Sequence, residues 1–240
     1  MIIGFNTGCL YKTQIPPISN QAIDLIKKSG LTAIELTAHD LSRVEMIETL
    51  DFRRLNSFEY ISIHAPTFEI KYGFNQKSRI VLKSIAAIYK KIKFNLVIFH
   101  PDTISNLEVF SNFDFPVGIE NMDNRKNFGQ NPSDLKKFFS RKKFKFVLDL
   151  QHIHTNDPTM DLTDDFLAVY KKRLAQIHLS GYDPVNLHHP LYLTKQKNII
   201  QKAVGLNVPI IIESSFNPKN NLSNQIRQEF RYVKSFLNHD

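Results

Sequence analysis

The chain has 240 residues, long for one ordinary domain and short for two, a length at which single α/β barrels are found. Apolar residues at 42% and charged residues at 22% provide for a packed core and exclude a disordered tail. One cysteine, Cys9, excludes an internal disulfide and a multi-cysteine zinc module and fits a reducing compartment, while a formal net charge of +8 raises a nucleic-acid partner.

In chain order, IIGFN (2–6) is the first of eight short apolar, β-branched runs. A helix is expected over 20–30, capped by Ser19 or Asn20 and stopped by Gly30, before the second run, TAIEL (32–36). YISIH (60–64) precedes the longest helical stretch, 75–93, and NLVIFH (95–100) follows it. The connection 101–115 is too short for a full helix and leads to PVGIE (116–120). A helix starting at Pro132-Ser133 then leads to FKFVLD (144–149), and one with Thr163 before first-turn acids leads to LAQIH (174–178). A helix over 193–205 separates this from PIIIE (209–213), and a last helix covers 222–237.

Near-continuous apolar runs indicate strands covered on both faces, and parallel neighbours need crossover helices. The pattern predicts an α/β fold, one (β/α)8 TIM barrel over 1–240 with its fourth helix abbreviated. No apolar run approaches the ~20 residues of a membrane span. MIIGFNTGCL lacks the basic segment of a secretory signal, so a cytoplasmic protein with no membrane partner is expected.

The runs end in Asn6, Glu35, His64, His100, Glu120, Asp149, His178 and Glu213. In a parallel barrel all C-terminal strand ends meet at one face, so these groups converge. So many carboxylates cannot share a pocket without a compensating cation, and a divalent metal is the economical partner. Glu35 is read either as a carboxylate orienting a histidine or as a rim salt bridge. Asn6 and Cys9 border the same face, where a packing role competes with contact to substrate. His39, His154, His189 and His239 fall outside the strand ends and read as surface or loop residues.

The set IHAP (63–66), FHPD (99–102), GIEN (118–121), LDLQH (148–152), IHLS (177–180), HHPL (188–191) and IIIES (210–214) resembles the xylose-isomerase-like barrel superfamily. That superfamily includes sugar isomerases and epimerases as well as abasic-site nucleases of the endonuclease IV type. The isomerase branch implies one metal held by Glu120, Asp149, His178 and Glu213, with Mn, Mg or Zn all suited to the ligands. The nuclease branch implies two to three Zn, adding His64, His100, His152 and His188 as ligands. Two departures stand out. Asn186 replaces the aspartate two residues before His188, and Tyr192-Leu193-Thr194 replaces a Gly-Glu-Gly.

The basic clusters Lys27-Lys28, Lys90-Lys91-Lys93, Arg141-Lys142-Lys143 and Lys171-Lys172-Arg173 end predicted helices, at the face opposite the strand ends. There they complement the helix dipoles. Loops of the strand-end face instead mix Asp40, Glu69, Asp102, Asp123, Asp157, Asp161 and Asp183 with Lys12, Lys71, Arg125, Lys126 and Lys219. A nuclease needs cations there to hold phosphates. The leading expectation is therefore a metal-dependent isomerase or epimerase of a small sugar, sugar phosphate or hydroxy-ketone, acting through a metal-stabilised enediolate. Glu120 and Glu213 would move protons. His64, His100, His152, Asn6 and Arg125 would bind the carbohydrate. A zinc phosphodiesterase acting on abasic DNA is the second reading, and a non-catalytic metal or metabolite binder the third. No sequence feature assigns an oligomeric state.

Overall fold

The eight apolar runs lie side by side as parallel strands, and the eighth closes on the first. The computed structural model describes residues 1–140, 143–185 and 187–237. The strands are β1 (Ile3–Asn6), β2 (Ala33–Thr37), β3 (Tyr60–His64), β4 (Leu96–Phe99), β5 (Val117–Glu120), β6 (Phe144–Asp149), β7 (Leu174–Leu179) and β8 (Ile210–Ile212). The chain is thus the (β/α)8 barrel that its repeating pattern predicts.

Successive side chains of a strand point to opposite faces, and the two sets form separate cores. Ile34, Ile63, Phe99, Ile119 and Leu148 belong to the large core between barrel and helices. Ala33, Tyr60, Leu96, Ile98, Val147 and Ile211 form a second, smaller core that fills the barrel. Glu35, His64 and Asp149, and His100 and Glu213 one residue past their strands, stand two or four residues beyond one of these interior positions, so they face inward above it. Beneath Glu120 is Gly118, where a Cβ would lie 2.9 Å from Val147 and 3.0 Å from Leu96. Neighbouring side chains already fill that layer, so the interior is a packed floor under the polar rim.

Around the barrel, α1 (Asn20–Lys28) begins at Ser19, whose hydroxyl accepts from the Ala22 N–H, and stops before Gly30, at φ 85°. The second connection holds α2 (Leu41–Ile47) and α3 (Phe52–Leu55), too short to be legible by periodicity. The long helix is α4 (Gln76–Lys91). The fourth connection has only 3-10 turns, Pro101–Thr103 and Leu107–Asn112, the abbreviation anticipated from its length. Asn131 and Asp134 form a capping box for α5 (Pro132–Phe139), with Pro132 in its first turn.

Directly after β6 comes the unanticipated α6 (Leu150–Asn156), and α7 (Leu162–Tyr170) follows it. Thr163 lies inside the first turn of α7, where Asp161 holds the cap position. The helix expected over 193–205 is two pieces, α8 (Leu191–Thr194) and α9 (Lys197–Gln201), because Lys195 between them is left-handed at φ 59°. The last helix is α10 (Leu222–Leu237). Lys27 and Lys28, and Lys90 and Lys91, occupy last helical turns as expected; Arg141, Lys142 and His239 lie outside the described residues. No helix among the described residues is long and apolar enough to cross a membrane.

Candidate metal centre

The strand tips converge on His178. Its Nδ1 lies 2.7 Å from Glu120 Oε1 and 3.4 Å from Glu213 Oε1, while its Nε2 lies 3.2 Å from Glu35 Oε2. Glu35 is fully buried, which removes the rim salt-bridge reading and leaves the orienting one. The Ser62 hydroxyl (2.8 Å), the Gln176 amide (2.7 Å) and the Asn6 amide (2.9 Å) all donate to it. His178 therefore presents Nε2 to Glu35 and Nδ1 to Glu120 and Glu213.

Asn6 also donates to Glu213 Oε1 at 2.6 Å, and its own carbonyl oxygen accepts from Gly8 N–H and the Thr37 hydroxyl. All its hydrogen-bonding capacity is thereby spent inside the protein. Asn6 lines the cleft, and these bonds tie it to Glu35 and Glu213.

Ligand atoms of Glu120, Asp149, His178 and Glu213 lie within 4.8 Å of one another, as do those of His64, His100 and Glu120. Glu120 belongs to both groups. Two buried oxygens, Glu120 Oε2 and Asp149 Oδ2, make no well-directed hydrogen bond among the described residues, although His100 and His64 lie 3.3 and 3.5 Å from the first and His152 lies 3.5 Å from the second. A buried carboxylate oxygen without a donor is costly, and a divalent cation would satisfy both. Three carboxylates and one imidazole at this spacing fit such an ion.

The charges are strongly coupled. Burial alone would raise the Glu120 carboxyl, but the charge of His178 and the close approach of the His100, His178 and His64 rings hold it well below the ordinary carboxylate range. Burial lifts Glu213 to about 7 despite His178, with Glu120, Asp149 and Glu35 adding repulsion. Burial likewise raises Asp149. On His64, burial favours the neutral ring, yet the hydrogen bond and charge of Glu120 prevail and push it up to about 9.

The remaining expected residues surround this core. His64 and His100 face each other, Nε2 to Nε2 at 3.1 Å, and lie 3.5 and 3.3 Å from Glu120 Oε2. His152 is oriented by the Asn121 carbonyl, 2.8 Å from Nδ1, and its Nε2 lies 3.8 Å from Asp123. His188 sits 3.9 Å from Glu213 and 3.1 Å from the Ser180 hydroxyl; burial, then the charge of His152, lower it to about 3. Asn186, two residues earlier, lies outside the described residues. Arg125 lines the cleft but is paired with Asp123, Nε to Oδ2 at 2.9 Å.

These side chains border a cleft of about 220 Å³. His39, in the loop between β2 and α2 as expected, lines it too, stacked on Tyr11 at 4.4 Å. His154 is half-buried beside Gln196 at 3.2 Å, and His189 pairs with Asp183 at 3.7 Å. Asn121 and Asp123 were not anticipated as site residues. Asn121 exchanges hydrogen bonds with the backbone of Asp149, donating at 2.9 Å and accepting at 2.8 Å, and its place directly after Glu120 was the available signal.

No family model matches the sequence, and no curated protein matches it. Solved structures do. An L-ribulose 3-epimerase superposes with a TM-score of 0.64 at 12% identity, covering 99% of this chain and 95% of that one. The 3-keto-D-glucoside 4-epimerase YcjR from E. coli gives 0.64 at 11%, covering 98% and 99%. D-allulose 3-epimerase from Methylomonas sp. gives 0.63 at 13%, covering 99% and 98%. At such identities the likeness establishes a shared fold.

Proposed function

We propose that this chain, which has the fold of the xylose-isomerase-like barrels, is a divalent-metal-dependent isomerase or epimerase of a small sugar or related hydroxy-ketone. The observation that carries the proposal is the convergence of Glu120, Asp149, His178 and Glu213 around two unsatisfied carboxylate oxygens at the base of a small cleft. Those four residues would hold the cation. When bound, the cation supplies a Lewis acid that polarises a carbonyl and stabilises negative charge on neighbouring oxygens.

The chain's own groups do the rest. Glu120 and Glu213 both approach His178 Nδ1, at 2.7 and 3.4 Å, so each would offer a carboxylate to a carbon held beside them. One removes the proton next to the carbonyl, and the other returns one to the neighbouring carbon or to the opposite face. Asn6 holds Glu213 at its Oε1 and leaves Oε2 for this exchange. His64, His100 and His152 line the cleft and would donate to substrate hydroxyls. Sites for drug-sized ligands run to about 300–1,000 Å³, so a cleft of about 220 Å³ suits one sugar ring. The three structural relatives named above are sugar epimerases, which supports the same substrate class here. Cys9, buried and unpaired, supports a cytoplasmic location.

A second reading draws on the separate His64–His100–Glu120 group, which could hold a further ion as a hydrolytic cluster does. Against it, two of the three cations lining the cleft are already neutralised, Arg125 by Asp123 and Lys126 by Asp102 at 2.8 Å, which leaves Lys12 alone. Little is left there to grip a phosphodiester backbone. Incubating the metal-supplied protein with a ketose panel in deuterated water separates the two. Deuterium entering the carbon next to the carbonyl supports the isomerase, whereas no exchange with any ketose, alongside cleavage of an abasic-site duplex, overturns it.

A further inference from the structure

The cleft does not stop at the metal centre. Lys12 and Ser215 line it and also line a second cavity of about 340 Å³, between the loops that follow β7 and β8. The annex is the larger of the two and holds no carboxylate among its lining residues. Its walls include Tyr192, Pro218 and Asn220. The half-buried Tyr192 lines this cavity and has no aromatic or cationic ring neighbour among the described residues. The Ser215 hydroxyl and the Lys12 ammonium likewise have no partner there.

We propose that the annex is a subsite for a second, uncharged sugar unit, so that the substrate is a glycoside or disaccharide whose reacting ring occupies the metal cleft. This rests on the isomerase reading of that cleft. A hydroxyl-rich ring presents an apolar face for Tyr192 and Pro218 and hydroxyls for Ser215, Asn220 and Lys12, a mixture of contacts typical of small-molecule sites.

A phosphate is the rival occupant, because barrels commonly bind phosphate at the loops after the seventh and eighth strands. Here that corner is already filled from within. Buried Glu229 of α10 accepts the N–H groups of Leu191 at 2.8 Å and Tyr192 at 2.9 Å, together with the Ser214 hydroxyl. Those amides are spent, and a single lysine at the seam is a poor match for a dianion that favours clustered or bidentate cations.

The test is binding by calorimetry and saturation-transfer NMR on the metal-loaded protein. Three probes are compared: D-fructose, isomaltulose (the same ketose bearing a glucosyl group on its terminal oxygen) and the matching fructose phosphate. Isomaltulose should bind about tenfold tighter than fructose, with saturation transferred to its glucosyl protons. Tyr192→Ala should erase that advantage. So should Asn220→Trp, which fills the annex from an exposed loop position and covers the case in which Tyr192→Ala does not fold. Fructose binding with no gain from the glucosyl group, or a tighter fructose phosphate, would overturn this inference alone. No binding by any probe would overturn the reading of the cleft together with it.

Discussion

His178 is fixed from both ends, by Glu35 beneath and by Glu120 and Glu213 above, and the chemistry depends on that clamp. Glu213 is the carboxylate held about 7 by burial and by its acidic neighbours, against the charge of His178. Replacing it by Gln removes a proton acceptor at little cost in shape. We expect turnover to fall by about 10²–10⁴-fold, the usual share of general acid–base catalysis, in steady-state assays of metal-supplied protein. Unchanged turnover would remove Glu213 from the chemistry. His64 gives a pH signature in metal-free protein. Its pairing with Glu120 raises it from 6.5 to about 9, so the stability it contributes is full below pH 6.5 and is lost as pH rises toward 9. Thermal midpoints of chelator-treated protein should decline across that window, and His64→Gln should flatten the decline. Equal slopes would mean the pair contributes nothing. The ionisable strand ends were legible in the sequence because each stands at the close of an apolar run. What Asn6 does was not, because only the fold brings Glu35, 29 positions away, and Glu213, 207 positions away, onto one amide.

At the scale of elements, strand parity decides what reaches the cleft. Glu35, Asp149 and Glu213 are each two residues past an interior apolar position, a spacing available from sequence once the interior side is known. Helices of seven residues or fewer, such as α2 and α6, were missed because so short a stretch carries too little of the 3.6-residue period. In α6 the signal was also hidden: Asp149 ends β6 and caps the helix in the same stroke, accepting from His152 N–H at 2.9 Å. Glu229 of α10 ties the loop after β7 to the end of β8, one residue from Glu213. Glu229→Ala strands two buried backbone donors and should cost about 2–4 kcal/mol in urea unfolding. A loss below about 0.5 kcal/mol, the scale of ordinary surface substitutions, would mean this clamp is not structural.

For the whole molecule, a net charge of +8 is less telling than its distribution. Basic pairs close α1 and α4 at the ends remote from the cleft, and of the three cations beside the cleft two, Arg125 and Lys126, are matched by Asp123 and Asp102. Binding to duplex DNA should therefore be of the non-specific kind, with Kd in the range of about 10⁻⁴–10⁻⁶ M at physiological salt, and should show no preference for an abasic site in fluorescence anisotropy. A preference of a hundredfold or more would favour the nuclease reading. The central claim is that one divalent ion, held by Glu120, Asp149, His178 and Glu213, serves a sugar-converting cleft. Elemental analysis of protein purified without chelator, and resupplied with Mn, Mg or Zn where none is retained, tests it most directly. The account predicts about one ion per chain, lost in a Glu120→Gln, Asp149→Asn double variant. Two to three tightly held zinc ions per chain would contradict it and point to the hydrolytic cluster.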